Sequence, residues 1–372
     1  MQKKLIAVAV LGACVAGSAL AANVDVYGRI DTGLSYVHQK IGDQAGTDTL
    51  SMDSGMSSGN RWGLKGSEDL GNGYQVGFVL ESGFDADTGK MSKDGLFNRE
   101  ATLRVSGPFG SIYAGRMGRI GSDAGSVGFY AGSVSPFGSG WGKMPGHFAV
   151  TANYDSRYNN ALAYVSPKVG PVTVYAQYTM GNTTENESGD DRLFSLGAQA
   201  DFGALQVLGL VEYLNKQSTV AGTAGAPNVT HNDSQYDDSY TINLGGSYDF
   251  GVAKVFLAGQ YFNAAPNFAG QGGDWTESFD GFGVNVGASA PIGAGEFLVS
   301  AGYGKGDYHV GTKDTNRSAD SYIFQVGYTY PFSKRTNLYA GAGYHQTTME
   351  EEASKDSKTK TTQVMFGLLH MF

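Results

Sequence analysis

The chain has 372 residues, 41% of them hydrophobic and 12% aromatic, with 56 glycines, nine prolines and a formal charge of −9. The negative balance argues against nucleic acid as a partner, because phosphate backbones attract basic surfaces. Glycine at about twice its average share, beside 22 tyrosines and 20 phenylalanines, favours many strands joined by tight turns in one large unit.

Residues 1–21 read as an export signal. "MQKK" is a positive start, "LIAVAVLGACVAGSAL" an apolar core, and Ala19, Leu20 and Ala21 a small-residue cleavage site. The single cysteine, Cys14, leaves with it, so the expected mature chain, 22–372, folds without disulfides. Beyond the signal no apolar run approaches the ~20 residues of a spanning helix. An exported chain of this kind is soluble, anchored or a barrel.

The first segment after the signal, "NVDVYGRIDTGLSYV", places Val24, Val26, Ile30, Leu34 and Tyr36 on one parity and Asp25, Arg29, Asp31 and Ser35 on the other. Period two is the mark of a strand with one wet and one apolar face. Trp62/Leu64, Tyr74/Val76/Phe78/Leu80, Phe194/Leu196, Val207/Val211/Tyr213, Ile242/Leu244/Tyr248 and Val255/Leu257/Tyr261 continue the pattern. So do Phe282/Val284/Val286, Phe297/Val299/Tyr303, Tyr322/Phe324/Val326, Leu338/Ala340/Ala342/Tyr344 and Val364/Phe366/Leu368. Sixteen such strands can be counted. Only 203–215 breaks rank, with Leu208 and Leu210 on the polar parity.

Short glycine- or proline-bearing turns at 69–73, 107–110, 167–171, 201–204, 249–253, 291–295 and 331–336 alternate with long polar segments at 38–58, 85–96, 118–153, 181–190, 216–238, 263–278, 305–319 and 346–360. Strict alternation of short and long connections, with Tyr27, Tyr36, Tyr178, Tyr213, Tyr261, Tyr303, Tyr330 and Tyr344 near strand ends, is the pattern of an outer-membrane barrel with aromatic girdles. The expected fold is therefore all-β: a 16-stranded antiparallel transmembrane β-barrel with short periplasmic turns and long external loops. Closure removes the edges that lipid cannot satisfy, so the last strand must pair with the first.

"VDVYGRIDTGL", "NRWGLKGSEDLGNGYQVGFVLESGF", "FNREATLRVSGPFGSIYAGRMG", "SRYNNALAYVSP" and the terminal "GLLHMF" together resemble the general trimeric porins of Gram-negative outer membranes, of β-proteobacterial and neisserial type. The resemblance implies a homotrimer in the cell outer membrane and a water-filled channel for small hydrophilic solutes and ions. It also implies lipid and lipopolysaccharide as surroundings, and an insertion machinery that reads Phe372 as an assembly signal. It further implies that the third long connection, 118–153, folds into the lumen as a constriction loop. That segment holds Phe129, Tyr130, Phe137, Trp141 and Phe148, with Asp123, Lys143 and His147 as its polar groups of note.

Charges lining a constriction select ions. Carried over from the resemblance, Arg29, Arg61, Arg116 and Arg157 are the expected wall arginines. Parity turns Arg29, Arg61, Arg157 and Arg104 inward, and turns Arg116 inward only if its strand breaks at Gly115. The loop reads Ser135-Pro136-Phe137-Gly138 where relatives often carry Pro-Glu-Phe-Gly, which leaves Asp123 as its acid. Glu100 stands where some relatives have a second arginine. With Asp25, Asp31, Glu81, Glu100 and Asp123 opposing the arginines, a weak anion preference is expected, the excess acids lying in external loops.

Two other classes compete with this one. A substrate-specific channel for sugars or carboxylates would show an aromatic track or a dense cluster of one sign; Trp141 and Phe137 leave room for it. A non-channel barrel, adhesin or enzyme, has no residue in its favour. "GMSSG" at 55–59 matches a nucleophile motif but lies in a polar loop and not at a strand–turn–helix elbow. The six histidines form no i, i+4 ligand pair, so neither enzyme activity, cofactor nor metal is expected.

Overall fold

The computed structural model describes residues 23–138, 140–145, 149–152, 154–180, 192–215, 219–220, 229–230, 238–272, 277–310, 313–351 and 356–372. The proposed signal, Phe148, His147 and most of the connections 181–190 and 216–238 lie outside them.

One antiparallel sheet closes on itself. It begins with β1 (Asn23–Ile41), β2 (Thr47–Ser54), β3 (Arg61–Gly71), β4 (Tyr74–Gly83) and β5 (Glu100–Gly107). It continues with β6 (Gly110–Gly118), β7 (Arg157–Val165), β8 (Val172–Thr179), β9 (Arg192–Phe202) and β10 (Leu205–Asn215). Six strands follow: Ser239–Asp249, Lys254–Ala265, Glu277–Ile292, Gly295–Val310, Lys313–Pro331 and Thr336–Glu351, and Ser357–Met371 completes the ring. That last strand pairs with β1 from Arg29↔Met371 to Ile41↔Thr359. The sheet has 17 strands but sixteen positions around the barrel, because β2 and β3 share one. The lower half of β1 pairs with β3 and its upper half with β2.

Residues 55–60 interrupt that shared position. The fully buried Asp31 carboxylate accepts the Ser57 and Ser58 amides at 2.8 and 2.6 Å and a hydrogen bond from the Tyr339 hydroxyl, so the interrupted backbone keeps its hydrogen bonds. Segment 38–58 is thus not the open loop that its polarity predicts. Nor are 305–319 and 346–360: strands run to Val310 and restart at Lys313, and run to Glu351 and restart at Ser357. These ribbons rise past the apolar band, and what covers one face of them there is chain and not lipid: Tyr308 and Ala319 are buried against Phe262, Phe268 and Phe279.

The outer face is apolar. Leu244 is 64% exposed while its neighbour Asn243 is 4% exposed, and the same alternation holds along the last strand, where Val364, Phe366 and Leu368 are exposed and Gln363, Met365 and Leu369 buried. Ring contacts run around both rims of this band. Tyr178–Phe194, Phe194–Tyr213, Tyr240–Tyr261 and Tyr303–Tyr322 mark the loop side, and Tyr74–Phe109, Tyr248–Phe250 and Tyr330–Phe332 the turn side. Such girdles bracket the hydrocarbon layer. Tyr27 is an exception to the expected girdle: its hydroxyl donates inward to Glu81 at 3.1 Å.

Phe372 closes the seam. Its amide and carbonyl exchange two 3.1 Å bonds with Gly28, and its ring lies so close over Gly28 that a Cβ there would stand 2.4 Å from Cζ. Gly28→Val is therefore expected to cost about 1–3 kcal/mol by overpacking and to lower the yield of folded barrel. Heat-modifiable electrophoretic mobility checks this; an unchanged folded fraction would show that the ring does not need its seat.

Candidate constriction site

From Gly118 the described residues of segment 119–156 turn inward and are fastened along the inner wall. The Ile120 amide donates to Gln177 Oε1 at 3.0 Å, and Gln177 Nε2 returns a 2.8 Å bond to the Gly118 carbonyl. Arg119 pairs with Glu212, which is 1% exposed and also accepts from Ser195. Farther round, the Trp141 amide donates to the Ser57 carbonyl at 2.7 Å, Gln325 Nε2 to the Pro145 carbonyl at 3.1 Å, and Gln260 brackets the Ala152 peptide from both sides. On β5, Glu100 accepts both the amide and the hydroxyl of Ser126. The loop is thus a second layer on the inside of the sheet.

Hydrophobic packing follows the same track. Ile120, Val127, Phe129 and Tyr130 cluster with Leu193, Leu208 and Leu210, and Phe137, Trp141 and Met144 with Met56, Tyr339 and Met365. Leu208 and Leu210 sit on the lumen parity because this layer covers them. Glycines make the space. A Cβ on Gly197 would meet the Phe129 ring at 2.6 Å, on Gly287 the Pro136 ring at 2.5 Å, on Gly341 Met144 and Trp141 at 2.7 Å, and on Gly283 the Val150 carbonyl at 1.6 Å. Much of the glycine excess on the far wall is this row of seats.

The uncovered wall carries the charge. Arg29 and Arg61 are direct cross-strand partners on β1 and β3. Arg29 Nη1 donates to Ser58 at 2.7 Å and Arg61 Nε to the Gly59 carbonyl at 3.0 Å. Arg99, one residue before β5, donates to Glu81 Oε1 at 2.6 Å, and Arg61 reaches the same carboxylate at 3.8 Å. Arg157, at the start of β7, feels the fields of Arg99, Glu81, Arg116 and Asp123. Asp123, from the loop, lies in turn within the fields of Arg157, Arg61 and Arg99. Four arginines therefore gather around Glu81 and face Asp123 of the loop.

The other sequence-derived residues divide by place. Glu81 and Glu100 are opposite each other on β4 and β5, an unfavourable pairing that is relieved because each has its own partners: Arg99, Arg61 and Tyr27 for Glu81, Ser126 and Thr102 for Glu100. Glu100, 2% exposed, is a fastening for the loop and not an open charge. Arg104 stands nearer the turn side, donating to Gln75 at 2.5 Å and bordering a cavity with Asp25 and Lys65. Arg116 borders the cluster, within the field of Arg157. A bulge does follow Gly115, whose φ is +129°, yet Arg116 stays in register with Ala101 on the outer parity of Leu103 and Ala114, and it donates to the Asn98 carbonyl and Asn159. Arg99 and the Arg119–Glu212 pair were not anticipated.

Comparison with known proteins agrees with this geometry. The Gram-negative porin family matches residues 7–349. The chain belongs to that family. An outer membrane porin protein of Bordetella pertussis is 34% identical over the full length of both chains, and outer membrane porin protein 32 of Delftia acidovorans is 31% identical over 60% of this chain and 72% of its own. Among solved structures, the anion-selective porin from Comamonas acidovorans superposes with a TM-score of 0.67 at 23% identity, covering 94% of this chain and all of its own. Salmonella typhi OmpF does so with a TM-score of 0.61 at 16% identity over 94% of this chain and 98% of its own. This porin is thus a closed sixteen-position barrel of the Gram-negative outer membrane. The lipid-facing band and both girdles described above are its membrane-spanning surface.

Proposed function

We propose that the porin passes small hydrophilic solutes and ions by diffusion, with a mild preference for anions set by Arg29, Arg61, Arg99 and Arg157. One observation carries the reading: these four arginines converge on the uncovered wall against Glu81 and Asp123, whereas Asp31, Glu100 and Glu212 are buried in bonds to amides, hydroxyls or Arg119. The chain's net charge of −9 does not set the sign, because ions respond to charge within about a Debye length of their path. The Comamonas acidovorans neighbour is an anion-selective porin, which supports the same sign here.

The reading extends to an assembly of three copies, in keeping with the family resemblance; a Vibrio cholerae OmpT neighbour is in trimer form. It also includes an export signal at 1–21, lipid and lipopolysaccharide around the barrel, and Phe372 as the residue read by the insertion machinery. Planar-bilayer recording of the purified porin under a potassium chloride gradient tests it. The expected result is a large ohmic conductance in steps of three with a reversal potential on the chloride side. A potassium-side reversal potential would overturn the assignment of the arginines, and absence of conductance would overturn the open channel.

A further inference from the structure

Residues 266–272, which follow the strand Lys254–Ala265, fold into the barrel and do not rise from it as an external loop. The register of that strand on Glu277–Ile292 slips between Phe262 and Ala265, and the Ala264 amide donates to Asp280 Oδ1 at 2.6 Å. The chain then makes a two-residue hairpin, with Asn267↔Gly272 and Phe268↔Gln271 as its pairs. Its turn residues, Ala269 and Gly270, have φ of +56° and +74°, the signs that a favoured two-residue turn requires. Ala264 is left-handed too, at +48°. A left-handed alanine costs about 1–2 kcal/mol, so contacts and not local preference hold this shape.

Those contacts cross three strands. Phe268 is 1% exposed. Its ring lies 4.9 Å from that of Phe262 and 5.9 Å from that of Phe279, and it sits over Gly304 and Gly306, where a Cβ would meet it at 3.0 and 2.9 Å. The Thr347 hydroxyl donates to the Ala269 carbonyl at 3.0 Å. Ala319 is the cross-strand partner of Gly306, and Ser321 links Gly304 to Thr347 in one row, so all of these positions share the lumen face. Ala319, Ser321 and Thr347 are nevertheless buried. The hairpin is what covers this part of the wall. A further layer of chain against a sheet takes up on the order of 10 Å, and the bore loses that width on this side.

The hairpin also meets the constriction loop. Gly304 is a shared seat: its Cβ would stand 2.7 Å from the Val150 carbonyl oxygen as well as against Phe268, and Ala152 belongs to the same buried cluster as Phe268. Val150 lies over Gly302 and Gly304, and Phe268 over Gly304 and Gly306, so the hairpin stands on the external side of the loop's returning limb. Residues 263–273 carry no charged side chain. Bore width and lining charge are separate determinants of what a pore passes, and here they fall at different heights. We propose that Phe268 and the hairpin it seats form a second restriction, external to the arginine constriction and in series with it, that selects solutes by size and not by charge. The inference rests on the diffusion-channel reading and adds to it a specificity-determining residue outside segment 119–156.

Swelling of proteoliposomes in uncharged sugars of rising size, from arabinose to raffinose, tests the restriction in the parent, Phe268→Ala and Gly306→Val. Phe268→Ala unseats the hairpin and is expected to raise the raffinose-to-arabinose rate ratio about threefold. Gly306→Val pushes the ring toward the lumen and is expected to lower the ratio by a similar factor. A hairpin that only stabilises the fold would move both variants the same way. A ratio unchanged in both, or shifted in one direction by both, would therefore overturn the proposal. Heat-modifiable mobility identifies a variant that does not fold; Thr347→Val, which removes only the tether to Ala269, then takes its place, with a raised ratio expected and an unchanged one overturning the proposal. Reversal potentials of the same preparations report on the arginine constriction and are expected to stay on the chloride side. Failure of the channel reading would appear as a non-conducting parent, which separates it from failure of the hairpin's role.

Discussion

Arg61→Gln, Arg99→Gln and Arg157→Gln combined are expected to reverse the ion preference of the channel from chloride to potassium. Arg29 would then stand alone against Glu81 and Asp123. Glutamine is the right replacement because Glu81 is 6% exposed and would otherwise lose most of its donors; the amides keep hydrogen bonds while removing charge. A unit charge about 7 Å from a passing ion contributes roughly 0.6 kcal/mol in a water-like dielectric, and it acts with opposite sign on the two ions. Removing three, at about 1.2 kcal/mol of difference each, is therefore expected to change the chloride-to-potassium permeability ratio by roughly a few hundredfold at low salt, and far less at high salt as screening grows. Reversal potentials at two ionic strengths measure both. A ratio unchanged by the triple substitution would mean that ions pass elsewhere.

Glu212→Leu is expected to unfasten the loop while leaving the barrel closed. The carboxylate is buried on the wall of β10 and holds Arg119 at the loop's first turn. Removing one partner of a buried pair typically costs about 3–5 kcal/mol, because the other charge is left in low dielectric. Here that cost has an outlet short of global unfolding: Arg119 can reach water if 119–135 lifts from β9 and β10. The expected signature is a noisy, multi-level conductance with the barrel's heat-modifiable mobility retained. Arg119→Met together with Glu212→Leu removes both charges and is expected to restore a steady level, since apolar replacement of a whole buried pair is often neutral or stabilising. A quiet Glu212→Leu channel of parental conductance would show that the pair is not what fastens the loop.

The barrel could be read from the sequence because lipid enforces period two on every strand it touches. The pairing of the last strand with β1 follows from the same rule, and Val364, Phe366 and Leu368 face outward as their parity requires. Above the membrane that enforcement stops. The ribbon ends around 305–319 and 346–360 therefore look like loops although they remain paired. Arg99 was invisible for a related reason. It is the residue before β5, where alternation has not begun, and its inward direction comes from its amide bonding to the Glu81 carbonyl and its side chain to the Glu81 carboxylate. Arg116 depended on a break at Gly115; the bulge there absorbs an extra residue on β7 and leaves the Arg116–Ala101 register intact, while Arg116 still lies within the field of Arg157. The loop layer itself left one legible trace, the inward leucines at 208 and 210, which make sense only under a cover.

The glycine seats impose a direction on how this channel can change. Gly197, Gly283, Gly287 and Gly341 hold the loop by what they lack, so any substitution there adds bulk and displaces the loop toward the arginine wall. Random mutation along the far wall thus acts as a ratchet on aperture: it can tighten the passage step by step, and no single exchange at those positions can widen it. Lineages that need a larger opening must shorten or re-anchor segment 119–156 itself, whereas narrowing is available from single-site changes at each of these glycines.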